Sequence, residues 1–206
     1  PSFTSFSIGG QSTTLEVGQT AATGTITFNW NISNDENLSA NTIDIRDTTN
    51  ATDLIVDTGN TGSATYDNGT GITKSTQASH QWTIDAENTQ GTNFSRNFNV
   101  YWRWRFYWGS STATTADETL IEGLQNDNLY TSIARTYTCD ANNYKWICYP
   151  TSFGLANSFK DDDTGFAVAM ESPETVSVTN SYGIATDYYA YRTTNSIVSS
   201  IAIVVT

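Results

Sequence analysis

The chain has one histidine, two cysteines, one methionine and three prolines in 206 residues. The scarcity of the first two narrows the available chemistry. A Ser-His-Asp or Cys-His site needs an imidazole beside its nucleophile, and only His80 can supply one. It stands just before the Trp82 stretch, no nucleophile elbow occurs anywhere, and it reads as a polar residue at a strand edge. Two cysteines and one histidine fall short of the four ligands of a structural zinc site. Basic residues are also few: nine Lys and Arg against 21 Asp and Glu, a net charge of −12. They form no cluster, and both halves of the chain are acidic. Nucleic acid is not expected as a partner, because neutralising phosphates needs grouped cations. The acidity suits keeping an aromatic-rich particle soluble. No apolar run approaches the roughly 20 residues of a membrane helix and no signal peptide is visible, so no membrane insertion is expected. Because the first residue is Pro1 rather than Met, a processed chain or a piece of a longer one is expected.

What is abundant is Thr, Ser, Asn, β-branched residues and, at 13%, aromatics. Disordered chains rarely carry so many aromatic rings, and helical periodicity is confined to one short segment. The profile is that of an all-β protein. Its centre is Asn97–Trp108, NFNVYWRWRFYW. Phe98, Val100, Trp102, Trp104, Phe106 and Trp108 alternate with Asn97, Asn99, Tyr101, Arg103, Arg105 and Tyr107. Successive strand side chains point to opposite faces, so one set is buried and the other wetted. At 3.3 Å per residue the stretch spans about 40 Å, roughly twice an ordinary strand. It reads as the last strand of one module continuing into the first strand of the next. The indoles read as a core stripe in preference to a sugar-stacking platform.

With this stretch closing the first module, about seven strands follow each other at intervals of 8–12 residues, separated by polar turns. The clearest is Thr25–Ser33 (TITFNWNIS), with Trp30 as the best core candidate of this half. Thr42–Arg46 and Asp53–Asp57 read as a hairpin, and Gly59–Gly71 as a long loop or weak edge. The spacing predicts an immunoglobulin- or fibronectin-III-like sandwich over 1–104, although the Cys…Trp…Cys signature is missing. A second, less regular β-sandwich module is expected over 105–206. It should contain one short helix near 116–124, opened by a Thr115/Glu118 capping box. Further expected elements are a hairpin of Ser132–Cys139 with Lys145–Tyr149, a tight acidic turn at Lys160–Gly165, and strands at Phe166–Met170, Thr175–Thr179, Ile184–Arg192 and Ile197–Val205.

Several residues carry a functional reading beside a structural one. Tyr101, Arg103, Arg105 and Tyr107 share the polar face of the central stretch. They could meet an anionic sugar, another subunit, or cross-strand acids such as Asp85, Glu87 or Glu122. Tyr188, Tyr189 and Tyr191 place aromatics on both faces of one strand; were that strand at an edge, Tyr189 and Tyr191 would be the leading sugar contacts. Cys139 and Cys148 flank the expected hairpin and read either as buried thiols or as a cross-strand disulfide. Asp161–Gly165 could offer oxygens to a cation, but an EF-hand loop counted from Asp161 puts Ser172 where a bidentate Glu should stand. Nothing singles out two carboxylates for glycoside hydrolysis. No catalytic residue, metal site or cofactor is expected.

The runs VYWRWRFYWG, ETLIEGL, TYTC…YKWICYPTSFG, FKDDDTGF, VSVTNSYGIATDYYAYRTTN and the terminal IAIVV resemble modules of tailed-bacteriophage virion proteins. Such modules occur toward the C-terminal ends of tail-fibre, baseplate and related appendage proteins. The likeness is strongest from Asn97 onward and rests on strands and turns, so no functional residue is carried over. It implies a non-enzymatic virion component that contributes to host attachment. It also implies assembly with other virion proteins, a homo-oligomer such as a trimer, and contact with a host-surface glycan. A capsid decoration protein and a carbohydrate-binding adhesin module of a secreted bacterial protein are the alternative readings.

Overall fold

A computed structural model describes residues 1–40, 42–58 and 62–206, with residues 57 and 58 described by backbone alone. The fold is all-β and divides into two compact units, Pro1–Trp102 and Arg103–Thr206.

The first unit contains β1 (Ser2–Ile8), β2 (Thr14–Glu16), β3 (Thr20–Ala21), β4 (Thr25–Ser33), β5 (Ile43–Asp47), β6 (Thr52–Thr58), β7 (Ser63–Asp67), β8 (Ile72–Thr73), β9 (Ala78–Glu87) and β10 (Asn93–Arg103). Its two main sheets have the orders β1-β4-β7 and β2-β10-β9-β5-β6; β3 pairs with β8. Taking β1, β4, β5, β6, β7, β9 and β10 as A, B, C, C′, E, F and G gives A-B-E opposite G-F-C-C′, an immunoglobulin-like arrangement. The sheets meet where Phe3 packs on Phe94, with ring centroids 5.0 Å apart. In an antibody domain strands B and F carry the disulfide. Here Trp30 on β4 and Trp82 on β9 are buried on those strands. β5 and β6 pair as a hairpin. β7 lies within the segment read as a loop or weak edge, of which 59–61 lie outside the described residues.

The second unit contains β11 (Arg105–Ser111), α1 (Glu118–Glu122), β12 (Asn126–Leu129), β13 (Arg135–Cys139), β14 (Tyr144–Pro150), β15 (Phe159–Asp161), β16 (Glu174–Thr179), β17 (Ala185–Arg192) and β18 (Ile201–Val205). A five-stranded sheet, β12-β11-β14-β17-β16, is covered on both faces. One face packs Tyr107, Trp146, Cys148 and Tyr188 against Ile121 and Leu124 of the helical segment. The other packs Phe106, Ile147, Tyr149 and Tyr191 against Tyr137, Ile203 and Val205 of the sheet β13-β18-β15.

This double cover explains where the pattern departs from expectation. The central stretch runs as β10 and β11 with Trp104 alone between them. Phe98, Val100, Trp102, Trp104 and Phe106 are buried as the alternation requires. The rule then lapses: Tyr107 is buried and Trp108 only half-buried, because β11 is an interior strand with a core on each side. The expected hairpin of residues 132–139 with 145–149 does not form. β13 pairs with β18, whereas β14 lies between β11 and β17, so the connecting turn passes from one sheet to the other. The helix starts at Glu118, and its cap is Asp117, whose carboxylate accepts from Leu120 N at 2.7 Å; Thr115 is not the cap. Phe166–Met170 is not a strand but a connection touching two sheets, through the Lys160–Ala167 and Met170–Thr193 bridges.

Candidate functional site

The polar side of the central stretch divides between the units. Tyr101, on β10, is 36% exposed, the most open of the four residues. Arg103 and Arg105 are half-buried. Arg105 forms an ion pair with Asp127 on the adjacent strand β12, an acid that sequence spacing did not single out. Asp85, one of the expected acids, pairs instead with Arg46 across β5 and β9. Tyr107 is no surface contact: it is buried among Ile121, Trp146 and Tyr188. With Tyr107 buried, the four side chains are not all surface residues.

The Tyr188–Tyr191 segment lies on β17, between β14 and β16. Being interior, it is covered on both faces. Tyr188 donates its hydroxyl to Arg105 O at 2.7 Å, and Tyr191 is buried, its hydroxyl accepting from Ala156 N at 3.1 Å. Tyr189 packs half-buried at the rim of the same core. The condition under which Tyr189 and Tyr191 would contact a sugar, an edge strand, is not met.

Cys139 and Cys148 are free and buried. They sit on strands of different sheets, so the cross-strand geometry that motivated a disulfide is absent. Burial pushes the Cys139 thiol up to about 12 and the Cys148 thiol higher still, which keeps both protonated and unreactive.

His80 corrects the strand-edge reading. It lies inside β9, opposite Val100, and is fully buried against Trp82 with ring centroids 4.4 Å apart. Its Nε2 lies 2.8 Å from Asp47 Oδ1, an ion-pair distance without the direction of a hydrogen bond, and Nδ1 has no hydrogen-bond partner. Burial lowers its pKa, Asp47 opposes that shift, and Lys74 adds a smaller lowering. Asp47 also holds the β5–β6 turn by accepting from the backbone and side-chain nitrogens of Asn50. With His80 wholly buried and Asp47 nearly so, the pair is a structural element of the core.

Lys145 was not singled out from sequence. Fully buried, it aims Nζ at Asp140 O, at Asn142 O (2.6 Å) and at Ser110 Oγ (3.2 Å). It thereby satisfies carbonyls of the turn between β13 and β14, where Asn142 and Asn143 have φ of 65° and 63°. Burial lowers its pKa. The available signal was a lysine in an otherwise aromatic and apolar run, YKWICYP, directly after a polar turn.

Among the described residues no group of three His, Cys, Asp or Glu side chains is placed to hold a metal ion, and no helix is long and apolar enough to cross a membrane. No family model, curated protein or solved structure matches the chain.

Proposed function

We propose that the chain is a non-enzymatic structural module of a tailed-bacteriophage virion, in a tail fibre or baseplate appendage that contributes to host attachment. The observation that carries this reading is where the aromatic side chains go. Trp82, Trp102, Trp146, Tyr137, Tyr149 and Phe106 are all fully buried. Rings that could have lined a binding groove are instead packed into close-fitting cores, which makes each unit stiff and suits a load-bearing, repeated part. The sequence likeness to appendage modules points the same way, and so does the net charge of −12, which suits solubility over nucleic-acid binding. On this reading the chain works as an oligomer, such as a trimer, alongside other virion proteins, and weak contacts with a host glycan gain strength through valency.

Antibody labelling of particles that carry this chain tests the proposal. Label at the tail, together with no measurable turnover of polysaccharide by the purified protein, is the expected result. Label distributed over the head would replace it with the capsid-decoration reading, and a chain absent from particles would refute both.

A further inference from the structure

The second unit carries a concavity of about 410 Å³. It forms where the connection after β15 crosses from one sheet to the other. One wall is the turn Asp161–Phe166, closed by Gly165 N donating to Asp161 O (2.8 Å) and Asp161 N donating to Phe166 O (2.9 Å). The opposite wall is the segment after β17. It is pinned by Thr193, whose hydroxyl donates to Asn195 O at 2.8 Å and accepts from Lys145 N at 3.0 Å. Thr194 N ties this wall to Ala169 O, and Ile197 N donates to Asn143 O. Both walls are thus fixed by backbone bonds before any ligand arrives.

The lining is mainly apolar, from Val168, Ile197 and Ile201, and includes the polar residues Asp161, Thr164, Thr193 and Asn195. Phe166 stands there 76% exposed and so offers the face of its ring to a ligand. Asp161 uses Oδ1 to accept from Asp163 N (3.0 Å), and the side-chain amide of Asn195 makes no hydrogen bond to the described residues. The volume falls in the range of small-ligand sites, roughly 300–1,000 Å³, and is too small for a helix or folded partner. Three successive carboxylates, Asp161, Asp162 and Asp163, at this turn disfavour an anion.

The geometry points to a binding site for a neutral saccharide, in which one pyranose lays its C–H face on Phe166. Its hydroxyls donate to the Asp161 carboxylate and bond the Asn195 amide, while the aliphatic floor excludes water. As the means of host attachment the site rests on the appendage reading; as a binding site it does not.

Backbone amide shifts of the intact chain, followed by NMR, test the assignment. The probes are methyl α-glucopyranoside, methyl α-galactopyranoside and N-acetylglucosamine, with choline as a cationic control. Saturable shifts confined to residues 161–169 and 193–201 are expected with at least one sugar, weakened tenfold or more in Phe166→Ala and several-fold in Asn195→Ala. Both side chains are exposed, so unchanged spectra elsewhere will show that the variants are folded. No saturable shift with any sugar, shifts elsewhere, shifts indifferent to Phe166→Ala, or a response to choline alone would each overturn the assignment. Particle labelling reports on location and this titration on binding, so the two proposals can fail separately.

Discussion

At the residue scale, the one histidine is the most informative side chain. Charging an imidazole inside a sheet core removes the ion from water, and Asp47 alone compensates. Burial is the larger influence, so the folded pKa lies below the ordinary 6.5. As pH falls through 6.5 the unfolded chain therefore takes up its proton first. The stability associated with a neutral His80 is fully present above that pH and is lost progressively between 6.5 and the lower folded value. Calorimetry should show the melting temperature falling from pH 7.5 to 5.5, a window above the ordinary range of surface carboxylates. In His80→Asn that part of the pH slope should disappear, whatever the variant's overall stability. A wild-type melting temperature that stays level across the window would contradict this account. Lys145 answers the same desolvation problem differently: it stays buried by giving its protons to two carbonyls and a hydroxyl.

At the element scale, α1 covers one face of the larger sheet of the second unit although it is only five residues long. So short a helix does not stand by propensity, and its cap and packing have to hold it. Removing the carboxylate that accepts from Leu120 N should cost about 1 kcal/mol in Asp117→Ala, whereas Thr115→Ala should fall within about 0.5 kcal/mol of wild type. Urea denaturation of the two variants checks this, and the reverse order would restore the capping box at Thr115. The contrast marks what was legible beforehand. Period-2 alternation located Phe98 to Phe106 correctly, since β10 follows the one-face rule. It failed at Tyr107 and Trp108 because an interior strand with two cores has no wet face to signal. Adjacency suggested a hairpin for β13 and β14, but β13 finds its partner in β18, some 60 residues later, a choice no local pattern encodes. The concavity was hidden for the same reason. Asp161 and Phe166 share one turn whereas Asn195 and Ile201 follow some 30 residues later, and FAVAM looked like a strand when read alone.

At the scale of the whole molecule, the question is whether the aromatic midsection belongs to one unit or serves both. Trp102 lies in the first unit, its indole donating to Gln19 O at 2.7 Å, while Phe106 and Tyr107 build the two cores of the second. Each unit has about the length at which a domain commonly folds alone. A fragment of residues 103–206 keeps β11 and should therefore show β-rich circular dichroism and one cooperative melt, with an unfolding enthalpy of about 60–80 kcal/mol. A fragment of residues 109–206 loses Phe106, Tyr107 and most of the strand between β12 and β14. That opens a gap inside the five-stranded sheet and takes an aromatic ring from each core, a loss of about 3–5 kcal/mol per ring before the broken strand pairing is counted. Net stability is typically only about 5–15 kcal/mol, so the shorter fragment should not fold. Dispersed amide signals from 103–206 beside collapsed signals from 109–206 would establish that the second half of the midsection is a structural strand of its own unit. A folded 109–206 would show instead that β11 is dispensable, and the account of both cores would have to be given up.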